Sequence, residues 1–152
     1  MDKRERLRAA VACEAVDHPP CVAWMNFATD ALPGSEAARR HLAFQQTYDW
    51  DICKVMHDYR YPFPDGLDTL AAPADLLRIG RVPLASRNFA EQLALLRAVR
   101  AGLPADTPVW ETLFDPFQQV WRTAGYSATK LVYAHPAEAL RMLSAVTDTL
   151  CE

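Results

Sequence analysis

Apolar and polar positions along this chain switch between a helical and a strand-like period, and each switch marks an element. From Arg4 to Cys13, Leu7, Ala10, Val11 and Glu14 set out a narrow stripe at helical spacing, which predicts a cover helix. After His18-Pro19-Pro20, the run Cys21 to Phe27 is short, apolar and bounded by turn residues, as a buried strand is. Ser35 stands where it would cap a helix from Glu36 to about Thr47, with Ala38 and Leu42 on one face and Arg39 and Arg40 outside. Ile52 to Asp58 predicts a second strand. From Tyr61 to Arg87 no period holds, and Pro62, Pro64, Pro73 and Pro83 predict a long loop of the kind that carries function.

Asn88 is placed to cap a helix from Phe89 to Ala101, with Phe89, Leu93, Leu96 and Arg100 as its stripe, Gly102 at its end and Pro104 just beyond. Thr107 to Phe114 predicts a third strand, broken by Glu111. Gln118 to Val132 holds one helix or two, interrupted at Gly125. His135-Pro136-Ala137-Glu138 then starts a last helix in which Leu140, Leu143, Val146 or Thr147, and Leu150 share a face. Strands alternating with helices predict parallel βαβ units and an α/β fold. Right-handed crossovers would set the three strands side by side, with Asn26, Asp58 and Asp115 gathered at their common C-terminal end.

Composition narrows the partners. With 152 residues, 51% of them hydrophobic and 23% charged, the chain has the makings of one ordinary domain with a core. A net charge of −3 gives no general attraction for phosphate backbones or anionic lipid, so nucleic acid and membrane are excluded as partners and small molecules or other proteins remain. The basic start, Lys3, Arg4, Arg6 and Arg8, is not expected to be a signal peptide, because the stretch Ala9 to Ala15 is short and acidic residues break it up at Glu14 and Asp17. Cys13, Cys21, Cys53 and Cys151 form no CxxC and read as reduced thiols, so the expected setting is cytoplasmic.

The segment from Asp49 to Pro62 concentrates the candidate chemistry, because an apolar run ends there in His57-Asp58-Tyr59-Arg60. Asp58, at the end of a buried strand, is the first candidate for a site carboxylate; the alternative is a surface cap or a loop salt bridge with Arg60. His57 would point to the opposite face from Asp58 in a regular strand. Cys53 and His57 share a face but lie roughly 13 Å apart along it, too far to ligate one metal. Glu111 is either turned outward or buried with a partner. Asp115 would sit at the mouth of a site. Trp24, Tyr59, Phe117 and Trp121 either line a pocket for a flat ligand or pack as core.

Several of these segments together resemble the uroporphyrinogen decarboxylase superfamily, which includes true decarboxylases and corrinoid-dependent methyltransferases. Lys3-Arg4-Glu5-Arg6-Leu7 followed by Asp17-His18-Pro19-Pro20-Cys21-Val22 resembles its opening helix and approach to the first strand. Phe89 to Arg100, Asp106-Thr107-Pro108-Val109 and Asp115-Pro116-Phe117 resemble its third helix, strand and following loop, and His135-Pro136-Ala137-Glu138-Ala139-Leu140 its next helix start. The resemblance spans essentially the whole chain. It implies a partial (β/α)8 TIM barrel, about the first three β/α units plus an N-terminal cover helix, forming a single N-terminal segment of a longer barrel protein.

The same resemblance implies that Asp58 matches the aspartate that stabilises pyrrole nitrogens, with Asn26, His57, Tyr59, Glu111, Asp115 and Phe117 around the substrate. The family's arginine pair for substrate carboxylates is replaced by Asn26 and Asp30, which argues against uroporphyrinogen decarboxylation and for a methyltransferase-like parent. No cofactor is expected in this chain itself; zinc or a corrinoid would belong to the full-length parent. The expected ligand is a small or tetrapyrrole-like molecule. Unpaired strands further predict self-association or a complementary barrel chain, and the alternative functions are a non-catalytic half-barrel subunit that associates with a partner chain or a fragment of a true uroporphyrinogen decarboxylase.

Overall fold

The computed structural model describes residues 1–152. Its elements run α1 (Lys3–Val11), α2 (Gly34–Tyr48), β1 (Cys53–Val55), α3 (Pro73–Arg78), α4 (Arg87–Gly102), β2 (Val109–Glu111), α5 (Pro116–Ala124), α6 (Ser127–Ala134) and α7 (Pro136–Cys151). The chain divides into two units. The first joins Met1–Asp58 to Glu91–Thr112, and the second joins Tyr59–Ala90 to Leu113–Glu152.

These elements correct the expected fold class. The chain is 52% helical, its sheet holds only two short parallel strands, and three β/α units of a TIM barrel are not formed. β1 and β2 pair in the register Cys53↔Val109, Lys54↔Trp110 and Val55↔Glu111, so the second and third expected strands do lie parallel, each cut to three residues. Cys21 to Phe27 forms no strand. Its tie to the β1 side is at its first residue, where Asp51 N–H donates to the Cys21 carbonyl (3.0 Å) and Cys21 N–H donates to Asp51 Oδ2 (2.7 Å). An apolar run reports what wants burial; it does not say which backbone groups find partners.

In the first unit α1 starts at a reciprocal cap: Asp2 accepts from Glu5 N–H (2.8 Å) and Glu5 from Asp2 N–H (3.0 Å). Arg6 on α1 reaches Asp17 (2.7 Å) and the buried Asp51, pinning the helix beside the start of β1. α2 buries Ala37, Ala38, His41 and Gln45 at helical spacing and ends at Asp49, whose φ of 52° is left-handed. Its start is Gly34 after Pro33, so Ser35 lies inside the first turn and caps nothing. Gly34 is required for packing: a Cβ there would meet the Glu91 carbonyl oxygen at 2.2 Å and Leu95 N at 2.8 Å. α4 faces inward through Gln92, Leu95 and Val99, a stripe rotated from the one the sequence predicts.

The second unit is built on helices. Tyr61, Leu67, Leu70, Leu76, Ile79, Phe89, Val120, Ala124, Ala128, Ala139, Met142 and Val146 form its core. The expected loop from Tyr61 to Arg87 contains α3, whose first turn is held by Asp75 accepting from Ala71 and Ala72 N–H, both at 2.9 Å; these bonds lower the Asp75 pKa. Gly125, at φ 70°, separates α5 from α6 as expected. α7 starts at Pro136 as expected but buries Ala139, Met142, Val146 and Thr149, while Leu140 is exposed.

Candidate functional site

The polar residues just beyond β1 do not follow strand parity. The ladder stops at Val55, which frees Met56, His57 and Asp58 from alternation, and both His57 and Asp58 are only 4% exposed. Burial of two such groups side by side requires partners from elsewhere. Each has one. Thr29 donates to Asp58 Oδ2 from its hydroxyl (2.8 Å) and its N–H (3.4 Å), and His57 Nδ1 donates to Glu111 Oε1 (3.1 Å).

Local sequence explains how these partners arrive. Asn26 is exposed and turns its Oδ1 onto Ala28 N–H (2.7 Å), Ala28 takes a left-handed φ of 52°, and the chain is thereby bent so that fully buried Thr29 faces Asp58. Glu111 is the last residue of β2, paired in register with Val55, two residues before His57. Gln92 on α4 braces it, donating from Nε2 to Glu111 Oε1 (2.8 Å) and to the Met56 carbonyl (3.4 Å).

His41 joins this cluster from α2. It is 2% exposed, and because a carbonyl can only accept, its bond to Ala37 O (3.0 Å) puts the proton on Nδ1. Burial pushes the imidazole below its ordinary pKa of 6.5, against the opposing field of the Asp58 carboxylate. His41 Nε2 and Gln92 Oε1 are buried acceptors with no hydrogen-bond donor. With Asp58 and Glu111 they make a neighbourhood rich in acceptors, suited to groups that present N–H or O–H. Burial raises the Cys53 thiol to about 11, so it is no thiolate nucleophile.

The remaining predicted site residues are placed differently. Tyr59 is buried in the second unit, and Phe117 is half-buried in the first turn of α5. Asp115 is exposed and caps α5, accepting from Gln118 N–H (3.0 Å). Trp121 meets Tyr126 edge-on at 5.4 Å, and Trp24 is exposed. Asn26 and Asp115 thus each serve a local turn, and Asp58 is a buried carboxylate. Thr29, His41 and Gln92 are not marked by the sequence because a lone Thr, His or Gln looks like any other position; for α2 the pattern sets Ala38 and Leu42 on one face, whereas the helix buries Ala37, Ala38, His41 and Gln45.

No group of three or more His, Cys, Asp or Glu side chains is placed to hold a metal ion. No helix is long and apolar enough to cross a membrane. Neither a family model nor a curated protein nor a solved structure matches this chain.

Proposed function

We propose that the chain is part of a uroporphyrinogen decarboxylase-like protein, nearer its methyltransferase branch, and that it binds a tetrapyrrole-like, N–H-bearing ligand at Asp58. A closed barrel is no part of this reading. The observation that carries it is the buried Asp58 carboxylate held by Thr29 directly beside the His57–Glu111 pair. A fixed, partly desolvated carboxylate accepts hydrogen bonds from a ligand and offsets positive charge on it, at no cost of reorganisation. Glu111, braced by Gln92, fixes the orientation of the His57 ring, as a carboxylate does for a histidine that handles protons. Asn26 and Asp30 stand where cations would be needed for a polycarboxylate, which favours an amide-bearing macrocycle over an acid-bearing one. A cytoplasmic setting belongs to the same proposal, in keeping with exposed free thiols at Cys13, Cys21 and Cys151.

Tryptophan-fluorescence titration with two probes tests it: cobalamin, whose ring carries amides, and uroporphyrin, which carries carboxylates. Cobalamin is expected to bind the wild-type chain and uroporphyrin not to. Asp58→Asn is expected to weaken the cobalamin complex about tenfold, the loss of one charge-assisted hydrogen bond of about 1.5 kcal/mol. Uroporphyrin binding more tightly than cobalamin, or cobalamin affinity indifferent to Asp58→Asn, would overturn the reading.

A further inference from the structure

The outer edge of β2 is an open hydrogen-bonding edge. Cys53 N–H donates to the Pro108 carbonyl (2.9 Å) and Thr112 N–H to the Val55 carbonyl (3.2 Å), so Pro108, Trp110 and Thr112 direct their backbone groups toward β1. In a parallel ladder the alternate residues face away. Val109 and Glu111 therefore direct their N–H and C=O groups to the other side, where β2 has no neighbouring strand. Trp110, midway along this edge, is 44% exposed. Parallel sheets are normally covered, and an open edge beside an exposed Trp is a template for another strand.

The same unit holds a segment with the complementary deficiency. Val22, Trp24 and Met25 are exposed, the sequence from Cys21 to Phe27 has the composition of a strand, and the segment enters no ladder. It lies within the longest run of the chain free of formal charge, Pro19 to Thr29, and Thr107 to Trp110 on the edge side is uncharged as well. A neutral apolar strand brings no charge of its own to be desolvated and none to repel Glu111 at the end of this edge. A charged surface segment, of which this chain has many, would meet both penalties.

We propose that a second copy of this chain is the occupant, its 21–27 segment pairing with the Val109–Glu111 edge. The inference stands on the backbone of β2 and does not depend on what Asp58 binds. Pairing in this way satisfies the outward groups of Val109 and Glu111, removes Trp110, Trp24 and Met25 from water, and leaves the β1–β2 ladder intact. If the exchange is reciprocal, the assembly closes as a dimer; if it is one-way, it extends.

Sedimentation of the full chain at micromolar concentration tests the proposal with two variants. Val109→Pro deletes one outward N–H without touching a bond to β1, and Pro108 before it lies outside any helix, where a following proline is tolerated. The double variant Trp24→Lys, Met25→Lys charges the exposed segment and leaves the core alone. Wild type is expected to associate, and each variant to sediment as a monomer with the wild-type circular dichroism spectrum. A mixture of the two variants is expected to associate again, because one brings an intact segment and the other an intact edge. A monomeric wild type, association that survives the two Lys substitutions, or a mixture no larger than its components would overturn the proposal.

Discussion

At the scale of single residues, the buried polar groups around Asp58 are the most consequential feature, because burial takes them out of water and makes a change of charge costly. His41 shows how this becomes measurable. Its folded pKa lies below the ordinary 6.5 because burial penalises the imidazolium, so the neutral form favours the fold above about pH 6.5 and that contribution is lost as pH falls through the lower folded value. Wild type is therefore expected to lose urea resistance as pH falls below about 6.5, more steeply than His41→Gln, whose amide still donates to the Ala37 carbonyl. Equal slopes for the two proteins would show that burial of His41 costs nothing. Carboxylates add acid sensitivity to both proteins alike. Hydrogen bonding to Arg6 holds the Asp17 carboxyl well below the usual range, so that pair comes apart only in strong acid, well below the window in which His41 acts.

At the scale of elements, caps decide where helices begin, and Asp115 separates a cap from a site residue. Its carboxylate accepts Gln118 N–H at the start of α5 and Pro116 follows at the first helical position, a complete local explanation of both residues. Asp115→Ala is expected to cost about 1 kcal/mol of stability with ligand affinity unchanged, read from denaturant midpoints and the same fluorescence titration; a large loss of affinity with stability intact would return Asp115 to the site. Starts of this kind were legible where Pro fixed them, at Pro136, and so was the break at Gly125. They were illegible where a polar side chain had a better partner. Asn88 does not cap α4, which already begins at Arg87; its amide donates to the Arg60 carbonyl at 2.6 Å. Ser35 is bypassed because the close approach of Gly34 to the Glu91 and Leu95 backbone draws the helix start back to Gly34.

At the scale of the whole molecule, periodicity revealed helices and concealed connectivity. The runs at 21–27, 52–58 and 107–114 all read as strands in the sequence and the first is the most apolar, yet only Cys53–Val55 and Val109–Glu111 close a ladder, since pairing depends on groups far apart along the chain. The family resemblance carried the same blind spot, counting β/α units from motifs that do not record backbone bonds. Position at the end of an apolar run, not the resemblance, singles out Asp58 in the sequence, while nothing in the pattern marks Thr29 or His41. The division of the chain was equally hidden: each unit is assembled from two separated segments, and α4 has its first residues in one and the rest in the other. A continuous piece therefore lacks half of its core. Residues 113–152 contain α5, α6 and α7, but Tyr61, Leu67, Leu70, Leu76, Ile79 and Phe89 come from the other segment. Thr149 on α7 is likewise bonded to the Tyr61 hydroxyl (3.0 Å) and to Val82 N–H (3.1 Å). Isolated helices shorter than about 12–15 residues are marginal in water, and α5 and α6, at 9 and 8 residues, fall below that. The 113–152 fragment is expected to give a coil-like circular dichroism spectrum, with helix regained on adding a 59–90 peptide. A fragment that melts cooperatively by itself would show that α5, α6 and α7 need none of those six side chains to pack.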